Sequence, residues 1–291
     1  MSAALHPRLA AWAEGGGRVR TRRGACVFAR TEGSGPDVLF LHGFPTHGYD
    51  WHAQASALAP THRCTAFDFL GFGLSDKPRR TYSVFEQADI TEDVARAADI
   101  AEAVLVAHDY GGTVGQVLLD RQREGRLGFR VRRAVFLNGG LLPGEHRPIP
   151  IQAALANPVI GPALSRLVTR GTIARSFDRI FGEAKIAPRE LDALWSGMTL
   201  RSGPAISWRL LRYMKERPRH EALLVGALRE AVVPLTFVWG PDDPISGEHV
   251  ARALEARLPG ADVRRLPGVG HYPQIEAPEA VNAILAEVLD G

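Results

Sequence analysis

The sequence predicts an α/β protein: a mostly parallel sheet interrupted by a helical insertion. Three observations predict it. Apolar runs of strand length alternate with helical patterns along both flanks of the chain, as expected of strands joined by crossover helices. Between residue 141 and about 225 the strand signal stops, and eight prolines from Pro143 to Pro218 punctuate short helical patterns. The length, 291 residues, is enough for one large core with an inserted subdomain. The expected division is a core of residues 1–140 and 226–291, with 141–225 as a helical cap. Open α/β sheets bind ligands at the carboxyl ends of their strands, so a cap there would shape a pocket and exclude water.

The elements follow in order. Residues 17–31 read as an antiparallel hairpin, with Arg18, Arg20, Arg22 and Arg23 on its solvated side. Val38-Leu39-Phe40-Leu41 is a buried strand ending at His42-Gly43, and Cys64-Thr65-Ala66-Phe67 a second, ending at Asp68. Residues 86–98 form a helical pattern. Val104-Leu105-Val106-Ala107 is a third apolar strand, followed at once by a helix from about Gly112 to Arg123. Ala134–Leu137 and Leu235–Trp239 supply two further strands. A short strand near 262–266 and a helix from about 276 close the chain.

Composition excludes several classes. An apolar fraction of 45% with 23% charged residues is that of a globular protein. Net charge is only +3, and the arginines are scattered rather than gathered into the basic, aromatic-interleaved stripe of a nucleic-acid face. Cys26 and Cys64 stand far apart, without metal or disulfide spacing, which suits a reducing cytoplasm. Met1–Gly17 lacks the pattern of a signal peptide, and no apolar run approaches the roughly 20 residues of a membrane span. A cytoplasmic monomer or homodimer with a small-molecule substrate is expected, with no nucleic acid, membrane, metal or cofactor.

The chemistry concentrates in four loops. Val106-Ala107-His108-Asp109-Tyr110-Gly111-Gly112 leaves a strand and opens a helix. It matches the strained elbow that exposes a nucleophile at the top of the sheet, with small residues at Ala107 and Gly111 and Asp109 where serine often stands. An N-cap role for Asp109 is the plainer alternative. An acid and then a histidine should follow in that chain order. Asp243 follows the strand that ends at Trp239, and His271 lies in Gly268-Val269-Gly270-His271-Tyr272-Pro273. Asp242 is a rival for the acid; the Gly-x-x-Asp spacing from Gly240 favours Asp243. In His42-Gly43-Phe44-Pro45, Phe44 would give one oxyanion-hole N–H and Tyr110 the other. Tyr213, Trp208 and His42 are the candidate substrate-side residues, with His42 also suited to supporting its loop.

Together these motifs resemble the α/β-hydrolase superfamily in its epoxide hydrolase and haloalkane dehalogenase branch. Gly71-Phe72-Gly73-Leu74-Ser75-Asp76-Lys77-Pro78 and Pro278-Glu279 add to the likeness. A nearer similarity, to the mesoderm-specific transcript proteins and their bacterial relatives, is carried by Tyr82–Ala88, Leu137-Asn138-Gly139-Gly140, His146-Arg147-Pro148 and Val225–Leu228. The resemblance implies an eight-stranded sheet and a hydrolase. The hydrophobic N-terminal segment of the vertebrate members has no counterpart here, so a membrane location is not carried over.

An aspartate nucleophile attacks an sp³ carbon bearing a leaving group and gives an alkyl-enzyme ester, which water activated by His271 then opens. Halide-cradling dehalogenases of the branch place Trp and Asn side chains where this chain has Tyr110 and Phe44. Epoxide opening needs a phenol, and Tyr213 is the sole tyrosine of the insertion. Epoxide-type opening of a small apolar substrate is therefore expected first. C–halogen and β-lactone substrates follow, and a non-catalytic binding protein is the reading of another kind.

Overall fold

The computed structural model describes residues 4–290. Its eight strands form one sheet: β1 (Gly16–Arg20), β2 (Cys26–Glu32), β3 (Asp37–Leu41), β4 (Arg63–Phe67), β5 (Glu102–His108), β6 (Arg130–Leu137), β7 (Leu235–Trp239) and β8 (Asp262–Arg265). The order is β1-β2-β4-β3-β5-β6-β7-β8. β1 and β2 form the expected antiparallel hairpin, and β2 runs antiparallel to β4. Every other pairing is parallel.

The central strands are apolar without interruption because both faces are covered. Their residues alternate between two cores. Leu39, Leu105, Ala134 and Phe136 face one, and Val38, Phe40, Val104, Val106 and Val135 the other. The second core is built with helices α1 (Pro7–Glu14) and α2 (His52–Leu58). The first takes α3 (Val84–Ala97) and α4 (Tyr110–Arg123). Neither α1 nor α2 was anticipated from the sequence: both are short, and α1 buries only Leu9 and Trp12.

Between β6 and β7 the regular elements among the described residues are all helices. It runs through α5 (Pro150–Leu155), α6 (Gly161–Leu164), α7 (Arg170–Ile180), α8 (Pro188–Thr199), α9 (Ser207–Leu210), α10 (Tyr213–Arg219) and α11 (Glu221–Arg229). Residue 225, the expected end of the insertion, falls inside α11, which packs on α4 as one unit. The chain then closes with α12 (Glu248–Arg257), α13 (Pro273–Glu276) and α14 (Pro278–Asp290). No helix among the described residues is long and apolar enough to cross a membrane.

Candidate active site

β5 ends at His108 and α4 begins at Tyr110, so Asp109 alone makes the reversal. Its φ of 45° and ψ of −106° lie in a region that a side chain occupies at a cost of about 1–3 kcal/mol. The surroundings enforce it. Asp109 N–H donates to Asn138 O at 2.9 Å, and Gly111 N–H to His42 O at 3.0 Å. A methyl group on Gly111 would stand 2.4 Å from Leu41 O, and one on Gly139 would stand 2.7 Å from Asp109 Cα.

Although Asp109 occupies the N-cap position of α4, its side chain accepts no helix N–H. The carboxylate turns to other partners. Oδ2 accepts from Phe44 N–H at 3.1 Å, and the Tyr213 hydroxyl approaches Oδ1 at a long 3.5 Å. Tyr110 N–H, the first of the helix, has no hydrogen-bond partner among the described residues. Phe44 is followed by a cis peptide bond to Pro45.

Asp243 and His271 arrive on the loops after β7 and β8. His271 Nδ1 and Asp243 Oδ2 are 2.7 Å apart. The same oxygen accepts from Ser246 Oγ at 2.6 Å and Asn138 Nδ2 at 3.2 Å, while Oδ1 takes the Ile245 N–H at 2.8 Å. Asp242, the alternative acid, is exposed. The two loops touch through glycines: a methyl on Gly240 would lie 2.1 Å from Gly270 O, and one on Gly270 2.3 Å from Ile180 O. Glu276 clamps the histidine loop by accepting from Gly270 N–H, Tyr272 N–H and, in the insertion, Gly182 N–H. Tyr272 Oη donates to Phe44 O at 2.9 Å and ties this loop to the one after β3.

Burial opposes charge on both members of the pair, and their mutual attraction overcomes it. For His271 burial pulls the pKa down, but the charge and hydrogen bond of Asp243, and then Asp109, raise it to about 9. Burial would raise Asp243, but the His271 charge and its hydrogen bonds hold it at about 2. The neighbouring histidines stay neutral. Burial, then the His271 charge, pushes His108 down to about 3, and its Nε2–H donates to His271 O at 2.7 Å.

A cavity of about 210 Å³ reaches this cluster. It is bounded by Phe44 and His271 on the core side and by Ile149, Leu155, Ile180, Met198 and Leu210 on the insertion side. Its lining is mostly apolar. Asp109 and Tyr213 are 6% and 3% exposed and are not part of that lining.

Two expected substrate-side residues stand elsewhere. His42 is wholly buried: Phe69 N–H donates to Nε2 at 3.0 Å, so Nδ1–H is left to donate to Gly43 O at 2.8 Å. Both ring nitrogens are used in holding the loop, and none is free for a substrate. Trp208 does not line the cavity either. Ser207 and Leu210, three apart on α9, share the cavity face. The Trp208 ring lies on another face, under the Arg209 guanidinium at 4.4 Å.

The model of a family described as "Alpha/beta hydrolase family" matches residues 38–284. The chain belongs to the alpha/beta hydrolase family. It is 40% identical over 287 residues to "Putative hydrolase LipZ" of Mycobacterium tuberculosis, covering 98% of this chain and 99% of that one. It is 36% identical to the human mesoderm-specific transcript homolog protein, over 94% of this chain and 85% of that one. Among solved structures, the haloalkane dehalogenase DbeA of Bradyrhizobium elkani superposes with a TM-score of 0.79 at 25% identity, over 92% and 95% of the two chains. An α/β-hydrolase with an eight-stranded, mostly parallel sheet is thus the correct description of this fold.

Sequence reasoning missed four residues around the site. Asn138 bridges the elbow to the Asp243 loop through Gly240 O at 2.8 Å and Gly240 N–H at 2.6 Å. Glu276 holds the histidine loop. Arg217 and His146 bring unpaired polar atoms beside the cluster. Asn138 and His146 stood in segments that carry the resemblance, and Asn138 is also a polar residue placed directly after a buried strand, but neither signal gave a role in the site.

Proposed function

We propose that this α/β-hydrolase uses Asp109 as a carboxylate nucleophile, His271 as the base for water and Asp243 as the group that orients and charges the imidazole. The observation that carries the reading is the Asp109 carboxylate. It is held at a strained, non-capping elbow, meets the Phe44 N–H, and has the His271–Asp243 pair on the adjoining loops. Attack by Asp109 on an sp³ carbon forms a C–O bond and expels the leaving group with its electron pair. Water then adds to the Asp109 carbonyl carbon and passes a proton to His271 Nε2. The oxyanion of that step would take the N–H groups of Phe44 and Tyr110, and one such donor contributes roughly 3–4 kcal/mol. Alkylation also removes the Asp109 charge, one of the causes that hold the imidazole protonated. The imidazole pKa thus falls at the step that needs the base, with Asp243 remaining the larger cause that raises it.

Ring opening of the epoxide type is the substrate chemistry best supported. Tyr213 Oη lies 3.5 Å from Asp109 Oδ1, within reach of a leaving oxygen on the attacked carbon, and burial keeps its proton on. The C–halogen reading has less support, because Phe44 and Tyr110 offer no side-chain N–H to a halide. The segment 141–225 would act as the cap that closes the apolar cavity over the reacting carbon.

The test uses His271→Gln protein exposed to small epoxides, haloalkanes and β-lactones, followed by weighing the intact chain and its peptides. A mass gain on the Asp109 peptide is expected, since attack survives and the water step does not. Turnover by wild type without any adduct in the variant, or turnover retained in Asp109→Asn, contradicts the reading. If ligands bind wild type and Asp109→Asn alike without turnover by either, the chain is a binding protein.

A further inference from the structure

Beside the proposed nucleophile stands a cation that the ring-opening scheme does not use. Arg217, on α10, is 3% exposed. Its Nε and Nη2 are enclosed and unbonded, and no ion pair engages its guanidinium among the described residues. The chain makes room for it: a methyl group on Gly140 would fall 2.3 Å from Nη2 and 2.5 Å from Nη1. Gly139, one residue earlier, presses on the Cα of Asp109. Consecutive Cα atoms are about 3.8 Å apart, so guanidinium and elbow sit against adjacent residues of one loop. The Arg217 Cζ is 6.0 Å from the centre of the Tyr213 ring, whose hydroxyl meets Asp109. Nearby, both ring nitrogens of His146 are also enclosed and unpartnered. The Arg217 charge helps burial push that imidazole down to about 3, so it is a neutral hydrogen-bonding group.

Burying a guanidinium without a counter-charge is costly, and such groups are ordinarily paired. Tyr213 and then Asp109 are the acidic groups that act on it, yet its Nε and Nη2 bond to neither. The planar fork of an arginine suits a carboxylate.

We propose that Arg217 is the anion receptor of this site, and that the substrate presents a carboxylate next to the carbon attacked by Asp109. This inference rests on the nucleophile reading above and names its substrate class. The carboxylate has two possible sources. In a β-lactone, an Asp109 oxygen bonds to the ring sp³ carbon, the ring C–O bond breaks, and its electron pair stays on the oxygen. That oxygen becomes part of the carboxylate held by Arg217. Hydrolysis of the ester then adds one water and releases a β-hydroxy acid. In an epoxide bearing a carboxylate the anion is present from the start. The opened ring oxygen takes its proton from Tyr213, and hydrolysis releases a dihydroxy acid.

The test compares β-butyrolactone, 2,3-epoxybutanoate and neutral 1,2-epoxybutane as alkylating probes of His271→Gln, with butyrate as a reversible ligand of wild type. One or both of the carboxylate-linked probes should add to Asp109 at least about tenfold faster than 1,2-epoxybutane, and which one adds identifies the source. The preference should vanish in His271→Gln/Arg217→Gln. Butyrate should bind wild type and slow the labelling, with affinity falling at least about 30-fold in Arg217→Gln and less in Arg217→Lys. If Arg217→Gln does not fold, the probe preference and the butyrate protection still decide. Labelling by 1,2-epoxybutane at an equal or higher rate, with butyrate without effect, overturns the receptor and leaves the nucleophile reading standing. Arg217-dependent butyrate binding with no adduct from any probe overturns the nucleophile reading instead.

Discussion

Beside Asp109 the chain buries the His271–Asp243 pair, in which each partner holds the other charged. Asp243 and Asp109 both raise His271, and the Asp243 contribution is the larger. Asp109→Asn should therefore lower the His271 pKa below its wild-type value of about 9, as followed by NMR titration of the imidazole. An unchanged value would mean that the two side chains do not interact. The pair also links stability to pH. The folded pKa of His271 lies above its ordinary 6.5, so the stability it adds is fully present below pH 6.5 and is lost as pH rises through about 9. Urea midpoints of wild type should fall over that window relative to His271→Gln, and parallel curves would contradict the ion pair. The residues of this cluster were readable in the sequence because each follows a strand end within a short motif of small residues. Arg217 was not. It is one of several arginines on the run from Arg209 to Arg219, and only the folded chain shows which of them is buried. His42 and Trp208 misled for the same reason: burial and helical phase are tertiary properties, and a four-residue helix after Pro204 carries too little pattern to fix its phase.

At the scale of elements, the site is an assembly of loops held by close backbone contacts. Gly270→Ala would drive a methyl into Ile180 O on a segment that cannot easily give way. It should cost about 1–3 kcal/mol, read as a urea midpoint shift, and should lower activity further by moving His271. A fully active, equally stable Gly270→Ala protein would show that the loop does not need that approach. The insertion is docked by α10 as well. Glu216 accepts from Val84 N–H at 3.0 Å and from the Ser83 hydroxyl at the start of α3. Glu216→Ala should remove about 0.5–2 kcal/mol, as loss of a helix cap does, and speed proteolysis near Tyr213. The strands were legible because a parallel sheet buried on both faces writes continuous apolar runs. The short helices of the insertion were legible only as a region: prolines mark their ends, while their packing is decided by contacts distant in sequence.

On the scale of the whole molecule, a sheet covered by helices on both faces carries Asp109, Asp243 and His271 at its strand ends, and residues of the helical segment between β6 and β7 line one side of the apolar cavity. On the proposed reading, reaction type belongs to the core and substrate size to the insertion. Met198→Trp, which fills the insertion side of the cavity, should lower kcat/KM for long-chain substrates much more than for short ones. Equal losses would mean that this cavity does not hold the substrate chain.

The central claim is that the oxygen delivered to the product comes first from Asp109, and oxygen-18 tests it directly. Wild-type protein would turn over, in labelled water, whichever probe proves to be a substrate, and the Asp109 peptide would then be weighed. The account predicts that this peptide gains heavy oxygen over repeated turnovers, while the product of a single turnover stays unlabelled. Label in the single-turnover product, with an unchanged Asp109 peptide, would mean that water attacks the substrate itself and that Asp109 is not the nucleophile.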